Sequence, residues 1–165
     1  MSQIRTQAVV SEKGRTIVGR ILPGTDLIKG IEKVCQDNQV TSGTIVTGIG
    51  SLVRAQFIYA VPDKDAKIGI KYSEPIRVEG PLELLACQGT IGLTAEGHLG
   101  IHLHGLMSDP DMKVYGGHFL EDGNPVLVTL EIMIHENQDA RTVREQDVET
   151  GFPVFRFYEV EIGRM

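Results

Sequence analysis

Two stretches of the chain alternate between apolar and polar residues at every second position, a period that fits strands with one buried face. From His98 to Met107, Leu99, Ile101, Leu103 and Met107 fall on one side and His98, His102 and His104 on the other. From Pro125 to Glu136, Val126, Val128, Leu130, Ile132 and Ile134 share a side, opposite Thr129, Glu131 and His135. Such strands need a cover, and one segment has the spacing to provide it. After Pro23-Gly24, Thr25 is positioned to cap a helix over Asp26–Asn38, with Leu27, Ile28, Ile31, Val34 and Cys35 along one stripe.

The remaining segments read as strands and turns. Arg5–Ser11 and Thr16–Leu22 are expected to pair as a hairpin around Glu12–Arg15. Thr44–Gly50, Leu52–Val61, Ile68–Tyr72 and Leu82–Ile91 are rich in Val, Ile, Thr and Leu, with Gly or Pro between them. Nineteen glycines in 165 residues suit a fold with many turns and close backbone approaches. Thr47-Gly48-Ile49-Gly50-Ser51 reads as a tight turn between strands, because it lacks the Lys and the helix start of a phosphate loop. Glu136–Thr150 is highly polar and is expected to be an exposed loop or short helix, before a last strand over Phe155–Ile162. Phe152, Phe155 and Phe157 read as core or subunit-interface residues. The fold class is therefore α+β: a mostly antiparallel β-sheet with one main helix packed on it. It forms a single domain, with its core at about 14–136 and a C-terminal extension at about 137–165.

Charge narrows the function. The chain carries 16 Lys/Arg against 22 Asp/Glu, a net charge of -6, and no two basic residues are adjacent. Residues 1–80 hold 11 basic against 8 acidic residues, and residues 81–165 hold 5 against 14. Duplex binding depends on clustered cations that neutralise phosphates, so autonomous DNA binding is not expected; the acidic half suits a cation. No apolar run reaches the ~18 residues of a membrane span, and the start lacks the apolar stretch of a signal peptide, so a cytoplasmic protein with no membrane partner is expected. Cys35 and Cys87 lie far apart in apolar segments and read as buried free thiols.

The histidines carry the chemistry. Alternation puts His102 and His104 on one face of a strand, about 7 Å apart. Between them and His118 lies Ser108-Asp109-Pro110-Asp111-Met112-Lys113, a turn signal in which Asp109 and Asp111 read first as turn formers. A hairpin centred on Asp111 pairs His104 directly with His118 and makes His102 the diagonal neighbour, so three imidazoles converge. That is the donor set of a three-His site for Zn²⁺ or a similar borderline metal, with a fourth position open; the alternative is three ordinary histidines on a solvated strand face. Gly116-Gly117 removes two side chains beside them, leaving room for a backbone, a ligand or a neighbouring subunit. His98, about 13 Å before His102, is too far to share the ion and reads as a surface residue. Glu131 is a secondary candidate for a proton-transfer or supporting carboxylate, set against an ordinary solvated strand position.

The order of these motifs resembles the PPC (plants and prokaryotes conserved) domain over nearly the whole chain. The resemblance rests on Leu22-Pro23-Gly24-Thr25-Asp26-Leu27, Thr47-Gly48-Ile49-Gly50-Ser51-Leu52, Pro81-Leu82-Glu83-Leu84-Leu85 with Gly89-Thr90-Ile91, His102-Leu103-His104 with Asp109-Pro110, Gly116-Gly117-His118, and Thr129-Leu130-Glu131. Glu149-Thr150-Gly151-Phe152-Pro153 is similar to the tail of bacterial members. It implies an antiparallel α+β homotrimer with His102, His104 and His118 at the family's metal-binding positions. Bacterial members carry a DNA-binding label, but the Arg-Gly-Arg-Pro hook that would enter a minor groove in the plant proteins is missing from this chain. Two functions follow as expectations: a metal-binding trimeric module, with DNA contact weak or indirect, or a zinc-dependent enzyme acting on a small molecule at the open site.

Overall fold

A computed structural model describes residues 7, 9 and 11–160. In chain order the elements are β1 (Thr16–Ile21), α1 (Leu27–Asp37), β2 (Gly43–Ile58), β3 (Ala60–Pro62), β4 (Ile70–Tyr72), β5 (Ile76–Thr94), β6 (Leu99–Ser108), β7 (Val114–Phe119), β8 (Val126–Glu136), β9 (Ala140–Gln146) and β10 (Pro153–Glu159). Eight strands form one sheet in the order β1-β8-β2-β7-β6-β5-β9-β10, and β3-β4 is a separate hairpin. The α+β expectation holds, as do the alternating strands at β6 and β8. The strand expected over Arg5–Ser11 lies largely outside the described residues. Among the described residues no helix is long and apolar enough to cross a membrane.

The sheet curls because β2 and β5 are long enough to serve several neighbours. β2 pairs with β8 from Gly43 to Leu52, with β5 from Gly43 to Phe57, and with β7 at Phe57 and Ile58. Since β5 also pairs with β6, and β6 with β7, the four strands β2, β5, β6 and β7 close a ring. The inside is filled by Leu52, Phe57, Leu82, Leu84, Leu103, Met107 and Phe119 among others. α1 covers the remaining inner face with Leu27, Ile28, Ile31 and Cys35. Burying each of its three large aliphatics stabilises the fold by about 1.5–3 kcal/mol. Its N-cap is Asp26, one residue later than expected, which accepts bonds from the Ile28 and Lys29 amides at 3.0 and 3.3 Å.

Three expectations need correction. Thr47–Ser51 is no turn; β2 runs straight through it, with register shifts between Ile45 and Thr47 and between Gly50 and Leu52. Its glycines serve close approach: a Cβ at Gly48 would lie 2.5 Å from the Cys87 sulfur, and one at Gly50 would overlap the Thr129 carbonyl. The second shift sets Gly50 opposite Leu130 and Leu52 opposite Val126, so Val128 is pushed off the core face and is 61% exposed. Third, the polar Glu136–Thr150 stretch contains strand β9, whose inward residues are the small Ala140 and Thr142. Thr142 shares a 2.8 Å hydrogen bond with Ser42, which satisfies both buried hydroxyls. Replacing Gly50 with Ala is expected to cost about 2–4 kcal/mol, because backbone of β8 would have to move. Urea unfolding checks this, and a loss below about 0.5 kcal/mol would contradict it.

Candidate metal centre

The site starts with a turn. Asp109 accepts from the Asp111 and Lys113 amides at 3.0 and 2.9 Å and from the Tyr115 hydroxyl at 2.9 Å, which ties down the connection between β6 and β7. Asp111 sits at its exposed tip, so both aspartates are turn formers. The hairpin register follows: His104 is paired with His118, as the Asp111 midpoint requires. Ring closure adds the rest, since His118 also pairs with Ile58 of β2, and this inserts it between two strands. Gly116 and Gly117 make room for the protein itself. A Cβ at Gly117 would lie 2.7 Å from the Phe57 ring and 2.8 Å from the Ile58 carbonyl.

His102, His104 and His118 converge, with ring centroids 4.8, 4.8 and 5.3 Å apart. One ligand nitrogen from each lies within 4.8 Å of the others, and Nε2 of His102 is 3.0 Å from Nε2 of His104. Zn–N bonds of about 2.0–2.1 Å in a tetrahedron put nitrogens about 3.3 Å apart, so the set is near the size of such an ion's shell. His118 is only 8% exposed, and its Nδ1 is buried without a hydrogen-bond partner. An orphaned buried nitrogen costs about 1–3 kcal/mol unless something satisfies it. The donor set therefore fits a divalent metal.

The electrostatics favour the neutral imidazoles of His102 and His118. His118 is pushed down to about 4, first by burial and then by the charges of His102, His104 and Arg144. Burial, with the charges of His104 and Arg144, also lowers His102. In metal-free protein the unfolded imidazole of His118 begins to protonate near pH 6.5 while the folded one resists to about 4, so the unfolded state binds more protons in that window. Stability should fall as pH drops from 6.5 towards 4, by up to about 3 kcal/mol for His118. Urea unfolding of chelator-treated protein at pH 7 and 5 should show a larger loss than in a His118→Asn variant. Equal losses would count against this.

The surroundings bring in residues that the sequence did not single out. Tyr72 of β4 lies with its ring 5.9 Å from that of His118, and Phe152 packs edge-on against Tyr72 at 5.1 Å. They wall one side of the cluster. A recess of about 240 Å³ opens beside His104, lined by Ala86, Gln88, Gly105, Leu106 and Gly117. Glu131 is not brought to the histidines: it is exposed on β8, opposite Arg20 and Ile49, with β2 and β5 between it and β6. His118 lies on the other side of β2, but it pairs with Ile58 whereas Glu131 pairs with Ile49, so a run of about 30 Å along the strand separates them. His98 is exposed before β6 and does not join the cluster. Cys35 and Cys87 are buried free thiols pushed up to about 12 by burial, which makes them poor ligands.

The model of the Plants and Prokaryotes Conserved (PCC) domain family matches residues 9–138. Among curated proteins the chain is similar to the bifunctional protein GlmU of Synechococcus, 28% identical over 133 residues. That match covers 81% of this chain and 19% of the relative, so the chain spans about a fifth of its length. Among solved structures, a metal-containing protein from Archaeoglobus fulgidus superposes with a TM-score of 0.76 at 23% identity, covering 91% of this chain and 99% of the other. A plant- and prokaryote-conserved protein from Pyrococcus horikoshii gives 0.73 at 22% identity, covering 92% and 100%. These two show the fold.

Proposed function

From the premise that the chain belongs to the Plants and Prokaryotes Conserved (PCC) domain family, we propose that it is a homotrimeric metal-binding module. His102, His104 and His118 would hold one divalent ion per chain, Zn²⁺ being the natural choice for three neutral imidazoles. The observation that carries the reading is the convergence of these three rings, with one ligand nitrogen from each within 4.8 Å of the others. A fold neighbour described as metal-containing agrees with it. When bound, such an ion supplies an open coordination position and Lewis acidity. The chain's own contribution is to hold three lone pairs in register, keep those of His102 and His118 unprotonated near neutral pH, and shield the cluster on one side with Tyr72 and Phe152. Elemental analysis of protein purified without a polyhistidine tag should find about one zinc-like ion per chain; none would oppose the reading.

A second reading, a metal-dependent enzyme acting on a small molecule, is favoured by the recess beside His104. Within one chain, Glu131 is too distant to move a proton at that site, so the catalytic reading requires another donor or a neighbouring subunit.

The trimer reading rests on the outer sheet face. Across β1, β8, β2, β5 and β6 that face carries Val18, Met133, Val46, Ile49, Leu85 and Leu106, between 37 and 74% exposed. Large apolar side chains exposed across one sheet face suit association with further copies. The same charge arithmetic that argues against DNA binding by one chain grows on assembly, to three times -6. No shift of duplex DNA is expected at micromolar protein in ~0.15 M salt, where specific binders reach ~10⁻⁸ M. Nanomolar, sequence-selective binding in a gel-shift assay would overturn that expectation and restore direct DNA contact.

A further inference from the structure

The β3-β4 hairpin is tied to the rest of the molecule by few contacts, and one of them falls on the metal centre. It is a sheet of its own, pairing Ala60 with Tyr72, Val61 with Lys71 and Pro62 with Ile70. At its foot the Ser73 amide donates to the Tyr59 carbonyl at 2.9 Å, and the Tyr59 amide to the Ser73 hydroxyl at 3.3 Å. At its tip the Asp63 amide donates to the Gly69 carbonyl at 2.8 Å, and the Asp63 carboxylate accepts from the Asp65 amide at 3.0 Å and pairs with Lys71 at 3.0 Å. The hairpin is therefore braced within itself. Among the described residues, no backbone hydrogen bond joins positions 60–72 to the eight-stranded sheet.

Side chains hold it down. The Tyr72 ring lies 5.9 Å from that of His118 and 5.1 Å, edge-on, from that of Phe152, so it is clasped between a proposed metal ligand and the 147–152 loop. Lys67 donates to the Val148 carbonyl of the same loop, and its aliphatic chain passes Gly151. That loop is a firm anchor. Asp147 accepts from the Thr150 amide at 2.9 Å, the Thr150 hydroxyl at 2.7 Å and Arg156 at 3.1 Å, and its own amide donates to the Phe152 carbonyl at 2.9 Å. A braced ribbon held by so few side chains can lift as a unit, because local opening is easiest where buried contacts are sparse.

The consequence falls on His118, which is 8% exposed although it shares a face with the exposed His104. An ion leaves a three-imidazole site one bond at a time, and each detached ring has to swing aside before the next bond breaks. While Tyr72 packs on its ring, His118 has little room to change rotamer, so a broken bond to the ion re-forms. We propose that the β3-β4 hairpin is a strap that retains the bound ion: Tyr72 presses His118 into its ligating position, and Phe152 and Lys67 latch the strap onto the 147–152 loop. Metal release is then set by the lifting of the strap.

This inference rests on the metal reading, and its test separates the two. The latch can be locked, since a Cβ at Gly151 would lie 4.0 Å from the Lys67 Cβ, within the ~3.5–4.5 Å of a disulfide. Cys35 and Cys87 are buried and do not compete for that bond. Lys67→Cys/Gly151→Cys protein is either oxidised with oxidised glutathione or kept reduced, loaded with Zn²⁺, and mixed with an excess of chromogenic chelator. Zinc release from the oxidised form should be about tenfold slower than from the reduced form, while circular dichroism shows both folded throughout. Phe152→Ala, in which the latch loses its ring, should release zinc about tenfold faster than wild type. Equal release rates with and without the crosslink, or a wild-type rate in Phe152→Ala, overturn the strap and leave the metal site standing. Wild-type protein that takes up no Zn²⁺ overturns both.

Discussion

Replacing His104 with Ala is expected to abolish stoichiometric metal binding, with a loss in Zn²⁺ affinity of at least about a thousandfold, or ~4 kcal/mol. The reason is geometric. His104 supplies the nitrogen 3.0 Å from that of His102 and is the ladder partner of His118, so its loss leaves two imidazoles on different strands with no third arm. Two neutral imidazoles and solvent do not hold a borderline ion tightly. The fold should survive, because the His104 side chain is exposed and the hairpin is fixed by Asp109 and Tyr115. Isothermal titration with Zn²⁺, alongside a circular dichroism spectrum matching wild type, checks this. Retained stoichiometric, tight binding in the variant would contradict it.

The proposed trimer gives an equally large effect. Leu85 is 50% exposed in the single chain and lies within the apolar outer face beside Ile49. Leu85→Asp should leave the chain folded and make it monomeric, since closing the interface would bury a charge from every copy without a partner, at several kcal/mol each. Light scattering at micromolar concentration should give three times 18.1 kDa for wild type and 18.1 kDa for the variant. A monomeric wild type would end the trimer reading. A trimeric Leu85→Asp protein would move the interface to another surface.

What the sequence revealed of the site depended on local rules. The convergence of His104 and His118 followed from two strand periods and a turn whose midpoint could be counted, and β6, β7 and their turn are contiguous in sequence. The helix was equally legible, because its stripe of Leu27, Ile28, Ile31 and Cys35 is the side it buries. Features set by non-local packing were not. β9 buries Ala140 and Thr142, residues too small or too polar to mark a strand, and is defined by its pairing with β5 and β10. The glycines of Thr47–Ser51 look like turn residues, yet they admit Cys87 and the backbone of β8 against a continuous strand. Tyr72 reaches His118 from the separate β3-β4 hairpin, far from it in sequence. No periodicity links such positions. Val128 illustrates the converse, an apolar residue in perfect alternation that a register shift turns outward.

The metal site of His102, His104 and His118 is tested by stripping the tag-free protein with chelator, equilibrating it with Zn²⁺ at pH 7.5, removing free ion, and measuring zinc per chain together with the melting temperature. At that pH His102 and His118, whose protonation burial disfavours, are free to act as ligands. One zinc per chain is expected, with a melting temperature that rises with bound metal. Protein that remains metal-free and melts at the same temperature would contradict it.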